Sequence, residues 1–195
     1  MNFAIITPQL VSGMGSSLMI FVLTLLFSMP LGLLVAFGRM SKIKPLQAVI
    51  KVFIAILRGT PLMLQLLVVN FAPYYLFRIS LPRWYRFAAI IIGFSINYAA
   101  YFAEIYRSGI ESIPKGQYEA ASVLGYNKNQ TFFRIIFPQM VKRVLPPVTN
   151  EVITLVKDTS LAFVLAYEEM FTVAKQIASA RTSIMPLFVA GVFYF

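Results

Sequence analysis

From Met1 to Gly38 the chain carries no charged side chain. That exceeds the roughly 20 mostly apolar residues an α-helix needs to cross a hydrocarbon core. The basic residues that open a secretory leader are missing, so the run is expected to stay in the membrane. Composition agrees: 59% of the 195 residues are hydrophobic and 12% charged, against roughly 45–50% apolar and 25% charged in soluble domains. Water would not tolerate this balance; a bilayer would. Cys and His are both absent. That removes thiol catalysis, disulfides and the commonest metal ligands, so no metal site is expected.

The spanning test finds five apolar runs. Residues 16–37 pass without a charge. Residues 59–77 lie between Arg58 and Arg78 and contain Pro61 and Pro73. Residues 87–106 hold Asn97 and Glu104; residues 139–156 are more polar, with Lys142, Arg143, Pro146, Pro147, Asn150 and Glu151. Residues 183–195 are apolar but too short to span at about 1.5 Å per residue, and read as an incomplete last helix, the alternative being a short re-entrant end. The expected fold class is an all-α integral membrane protein with five transmembrane helices. No repeat or soluble domain interrupts it, so residues 1–195 read as a single membrane domain.

The basic residues give the spans a direction. Lys and Arg number five in 39–58 and six in 107–143, but three in 78–86 and three in 157–181. The positive-inside bias puts the first and third connections in the cytoplasm and the N-terminus outside. The net charge of +10 then points to the inner face of a lipid bilayer, not to nucleic acid.

Ionisable and polar groups inside such spans are candidate functional residues. Asn97, Tyr101 and Glu104 follow i, i+4, i+7 spacing and share one helix face. Asn97, near mid-bilayer, suits either substrate or a helix–helix hydrogen bond; Glu104 suits either substrate or an ion pair with Arg107 or another basic residue. Counted from Arg143, Glu151 lies about as deep as Asn97, and either faces a cavity or neutralises a basic neighbour. Pro146 and Pro147 are expected to make its helix irregular. Lys157, Asp158, Thr159 and Ser160 fall at the outer end of that span, where cap-forming residues could end one helix and start another over 161–180. A broken helix there would offer both signs of charge to a zwitterion; the alternative is a Lys157–Asp158 pair satisfied within the turn. Thr60 opens the second span beside Pro61, and Arg58 is expected to meet a headgroup or loop instead of substrate. Trp84 and Tyr85 read as interfacial anchors.

The most informative stretch is the long connection over 107–143. Pro114 can open a helix, Lys115 to Leu124 reads as that helix, and Gly125 sits where a left-handed C-terminal cap is wanted. Ala120 and Ala121 would let a partner approach the backbone, and Glu119 offers a charge. Residues 127–136 read as a second short helix returning to the bilayer. Physics alone leaves two readings open, a docking element or an ordinary solvated helical hairpin.

Glu119-Ala120-Ala121, three residues, Gly125, nine residues, then Ile135-Ile136-Phe137-Pro138 resembles the E-A-A-x3-G-x9-I-x-L-P motif of ATP-binding-cassette importer permeases. Only the Leu differs, as Phe137. The flanks Arg58-Gly59-Thr60-Pro61-Leu62, Ser112-Ile113-Pro114-Lys115-Gly116-Gln117 and Lys157-Asp158-Thr159-Ser160-Leu161 are similar to the polar amino-acid branch of that family.

The resemblance implies a type I importer core of five helices in a bacterial cytoplasmic (inner) membrane, paired with a second permease copy or paralogue. It implies two cytoplasmic ATP-binding subunits that receive the loop, and an external substrate-binding protein. Gly116, Glu119, Ala120, Ala121, Gly125, Ile135 and Pro138 would form the coupling element. The chain has no G-x4-G-K-[ST] phosphate loop, so it is not expected to be an enzyme, and ATP with its Mg is expected on the partner subunits. The acids near the path (Glu104, Glu151, Asp158) suit a cationic amino acid such as arginine, with glutamine next. The competing reading is a stand-alone secondary transporter or channel.

Overall fold

The computed structural model describes residues 3–194, and within them every regular element is a helix. In order they are α1 (Phe3–Arg39), α2 (Lys44–Gly59), α3 (Leu62–Phe77), α4 (Tyr85–Glu111), α5 (Lys115–Val123), α6 (Lys128–Gln130), a π-helical segment (Thr131–Ile136), α7 (Phe137–Asp158), a 3-10 segment (Thr159–Leu165), α8 (Met170–Arg181) and α9 (Met185–Tyr194). The sequence positions Met1, Asn2 and Phe195 lie outside the described residues.

α4 is the hub. It is packed by α1, α2, α3 and α7, and its small residues let those helices come close. A Cβ on Gly93 would stand 2.8 Å from the Leu66 side chain of α3, and one on Gly109 would collide with Val144 of α7. Without a hydrophobic drive between helices in lipid, such close approach is what holds them together. Phe94, Tyr98 and Phe102 fill the centre against Ile20 of α1, Leu66 of α3 and Leu155 of α7.

Length and apolarity do not pick out the expected spans equally among the described helices. α1 and α4 are long and apolar enough to cross a membrane, while α2 and α3 pass that test only jointly, bent by 110° at their break. The stretch read as the first cytoplasmic connection is mostly α2; the true turn is the four residues between Arg39 and Lys44. The second span therefore starts before Gly59, in α2, and breaks at Thr60–Pro61. α7 has the length, at 22 residues, but not the apolarity. α9 has the apolarity but only ten residues.

The backbone of the long loop differs from its sequence reading in one respect. α5 forms where expected, and Gly125 takes φ +78°. The Tyr126 amide reaches the Ala121 carbonyl (3.0 Å) and the Gly125 amide the Ser122 carbonyl (3.0 Å). This is the paired closure that a left-handed glycine after a helix makes possible. The expected second short helix, however, is not separate. Asn127 and Gln130 cap each other's backbone amides, and the chain then runs through the π segment into α7. Pro138 explains the wide turn. It has no amide for the Arg134 carbonyl, and its ring would crowd that carbonyl in a tight α turn.

Candidate functional site

A cavity of about 440 Å³ opens between α2, α4 and α7, lined among others by Arg58, Tyr101, Glu104, Arg107, Arg143 and Glu151. Three of the residues expected along a substrate path, Tyr101, Glu104 and Glu151, are thus brought together. Arg58 joins them instead of facing a headgroup or loop: its guanidinium lies 5.1 Å from the centre of the Tyr101 ring. The break after α2 carries it there, because it turns the end of that helix against the middle of α4.

Glu104 is already engaged. Arg107 bonds it at 2.6 Å and Arg39 of α1 stands 3.7 Å away. Arg107 also pairs with Glu111, and Arg143 donates to the Ser112 carbonyl. These contacts gather the end of α1, the end of α4 and the start of α7, so the first and third connections share one end of the molecule. Glu151 is half-buried, and no ion pair among the described residues joins it to Arg58.

Asn97 and Thr60 are turned away from this cavity. The Asn97 amide donates to the Leu57 carbonyl (3.1 Å) and to Gln65 (2.9 Å). Thr60 donates to the Ile56 carbonyl (2.8 Å) and accepts from Gln65 (2.7 Å). Proline at 61 leaves carbonyls of α2 without an amide partner, and these side chains satisfy them. The two residues hold the helix break in place.

Lys157, Asp158, Thr159 and Ser160 lie elsewhere and at a different depth. Asp158 accepts from the Tyr98 hydroxyl at 2.7 Å, halfway along α4, so the end of α7 falls at mid-height and not at the outer end. Depth counting from Arg143 goes astray because Arg143 sits level with Ser112, at the very end of α4. No Lys157–Asp158 ion pair occurs among the described residues. Thr159 and Ser160 bond back to the carbonyls of Val156 and Lys157. No helix spans 161–180; a 3-10 segment covers Thr159–Leu165 and α8 begins at Met170. Pro146 and Pro147, expected to disrupt their helix, sit inside a continuous α7.

Sequence reasoning missed Glu169. It is fully buried and caps α8, accepting from the Phe171 and Thr172 amides at 2.7 Å each and from the Tyr194 hydroxyl at 2.8 Å. The signal was an acid directly before an apolar helical run, a favourable place at a helix N-terminus.

On the loop, Glu119, Ala120, Gly116 and Gly125 are exposed, whereas Ala121 is buried. Ala121 therefore serves the chain's own packing, against the expectation that it faces a partner. Val123 is 88% and Leu124 73% exposed. Gln139 links to Gln117 at 3.3 Å and to the Ile135 carbonyl at 2.8 Å, which fastens α5 to the helix carrying Ile135 and Pro138. Phe137 lies tilted against Phe132 and Phe133, with 6.1 and 6.4 Å between ring centres.

Residues 28–195 match the model of the binding-protein-dependent transport system inner membrane component family. The chain belongs to this family. Among relatives of this transport component, the L-cystine transport system permease protein TcyB of Bacillus subtilis (strain 168) is 36% identical over 189 residues, covering 96% of this chain and 79% of TcyB. The arginine transport system permease protein ArtQ of the same organism is 31% identical, covering 96% and 85%. A crystal structure of an amino acid ABC transporter with histidines superposes with a TM-score of 0.87 at 33% identity, over 97% of this chain and 87% of that one. The fold is that of the type I importer permeases, and the chain is a multi-pass component of an inner membrane.

Proposed function

We propose that this chain is the membrane-spanning subunit of an ATP-driven importer for amino acids and moves its substrate by alternating access. The relatives named above are transport system permease proteins for L-cystine and arginine and an amino acid ABC transporter, and the geometry of the loop supports the reading. Val123 and Leu124 stand bare beside Glu119 and Ala120 on a helix with fixed turns at both ends. Two large apolar side chains exposed side by side on a loop outside the bilayer support a docking surface there.

On this reading two ATP-binding subunits grip α5, and ATP and Mg bind there. A second permease subunit completes the path, and an external binding protein delivers substrate. The whole chain acts as one permease domain with its N-terminus outside.

For the substrate, the favourable feature is Arg58 and Glu151, opposite charges that face one cavity without being joined. An amino-acid zwitterion needs a donor for its carboxylate and an acceptor for its ammonium group, and this pair supplies both. Two of the three acids that suited a cationic substrate are already engaged, Glu104 by arginines and Asp158 by Tyr98. Uptake by the assembled complex tests the coupling role. Ala120→Arg combined with Gly125→Arg is expected to abolish ATP-driven uptake while the chain still inserts. Undiminished uptake by that double variant would sink the docking assignment.

A further inference from the structure

The charges around the cavity do not balance. Of the charges that line it, Glu104 and Arg107 are bonded to each other, and their further pairs with Arg39 and Glu111 cancel. That leaves Arg58 and Arg143 against Glu151 alone. α2 adds to the excess. Lys44 and Lys51 precede Arg58 by fourteen and seven residues, so all three share one face of the helix with a drift of only about 20° per seven residues. Successive charges are then about 10 Å apart. All three are exposed, and no acid occurs from Arg39 to Arg58. Neither Lys44 nor Lys51 enters an ion pair among the described residues. The Ile54 side of the helix is buried, and the large apolar residues Leu46, Val49, Phe53 and Ile56 form a separate exposed sector. The basic stripe is therefore a distinct face, and it leads from the turn after α1 to the cavity.

We infer that Lys44, Lys51 and Arg58 form a cationic lane that guides the carboxylate of the transported amino acid through this half of the path, and that the lane selects against substrates with a net positive charge. This rests on the amino-acid permease reading above. The substrate class is a neutral or acidic amino acid, and Lys51 is a residue that sets this specificity. A carboxylate passing between neighbouring cations is held at every point, whereas a cationic side chain meets the same charges as repulsion.

The test is equilibrium binding of labelled L-glutamine, L-cystine and L-arginine to the permease–ATPase complex in phosphatidylcholine nanodiscs. Wild type is compared with Lys51→Gln and Lys51→Glu; Lys51 is exposed, so both should fold. Wild type is expected to prefer glutamine or cystine over arginine. Lys51→Glu should shift that ratio toward arginine by about tenfold, with Lys51→Gln in between. An unchanged ratio in Lys51→Glu overturns the lane and leaves the permease reading standing. Failure of wild type to bind any of the three probes overturns the reading beneath it as well. An effect of Lys51 that appears only when phosphatidylglycerol is added assigns the lysine to a lipid headgroup and also overturns the lane.

Discussion

A Cβ on Gly32 would stand 2.8 Å from the Phe102 Cβ and 3.1 Å from the Ala99 carbonyl oxygen, so α1 reaches α4 only because that side chain is missing. Gly32→Val should force the two helices apart and cost about 1–3 kcal/mol. Thermal melting of the detergent-purified chain reads this, and an unchanged midpoint would mean the contact does not form. Asn97 carries a different load. Asn97→Leu keeps the volume and leaves Gln65 as donor to the Leu57 carbonyl (2.9 Å), but it strips the Gln65 side-chain oxygen of its own donor, a loss of about 1 kcal/mol. Proteolysis should then open the chain first near Thr60. Cleavage no faster than in wild type would show that the break holds without Asn97.

At the scale of elements, the breaks carry the information. α2 and α3 part at Pro61, α7 widens before Pro138, and it gives way to a 3-10 turn beside Tyr98. The first and the last of these breaks lie beside a placed side chain, Arg58 in the cavity and Asp158 against Tyr98. Only the first two announce themselves as proline. The end of α7 comes from the Tyr98–Asp158 contact, between residues sixty apart, and no local signal shows it. Glu169 does the same for α8. Glu169→Ala leaves the Phe171 and Thr172 amides without their acceptor and the Tyr194 hydroxyl with its longer contact to Ser17. Amide hydrogen exchange in the first turn of α8 should rise well above wild type while α4 stays protected. Equal exchange in that turn would show that water or a neighbour replaces the carboxylate.

For the whole molecule, the testable matter is direction. The chain has no Cys, so single cysteines report cleanly. With the N-terminus outside, Ser80→Cys should react with a membrane-impermeant maleimide added to intact cells, and Ser41→Cys only after the membrane is opened. The reverse pattern would invert the topology and move α5 to the wrong side for any ATPase.

The membrane setting, the helical class, α5 with its glycine cap and the family could all be read from the sequence, because each depends on local composition or fixed spacing. An uncharged run needs lipid, a left-handed turn needs Gly125, and Glu119 through Pro138 keeps one spacing. Depth and pairing could not be read. Whether Asn97 faces substrate or Leu57, whether Glu104 is free or held by two arginines, and whether Arg58 meets lipid or a cavity depend on which helices touch and where they bend. Those are relations between distant segments, and a polar side chain in a membrane helix satisfies whichever partner packing brings within hydrogen-bonding reach.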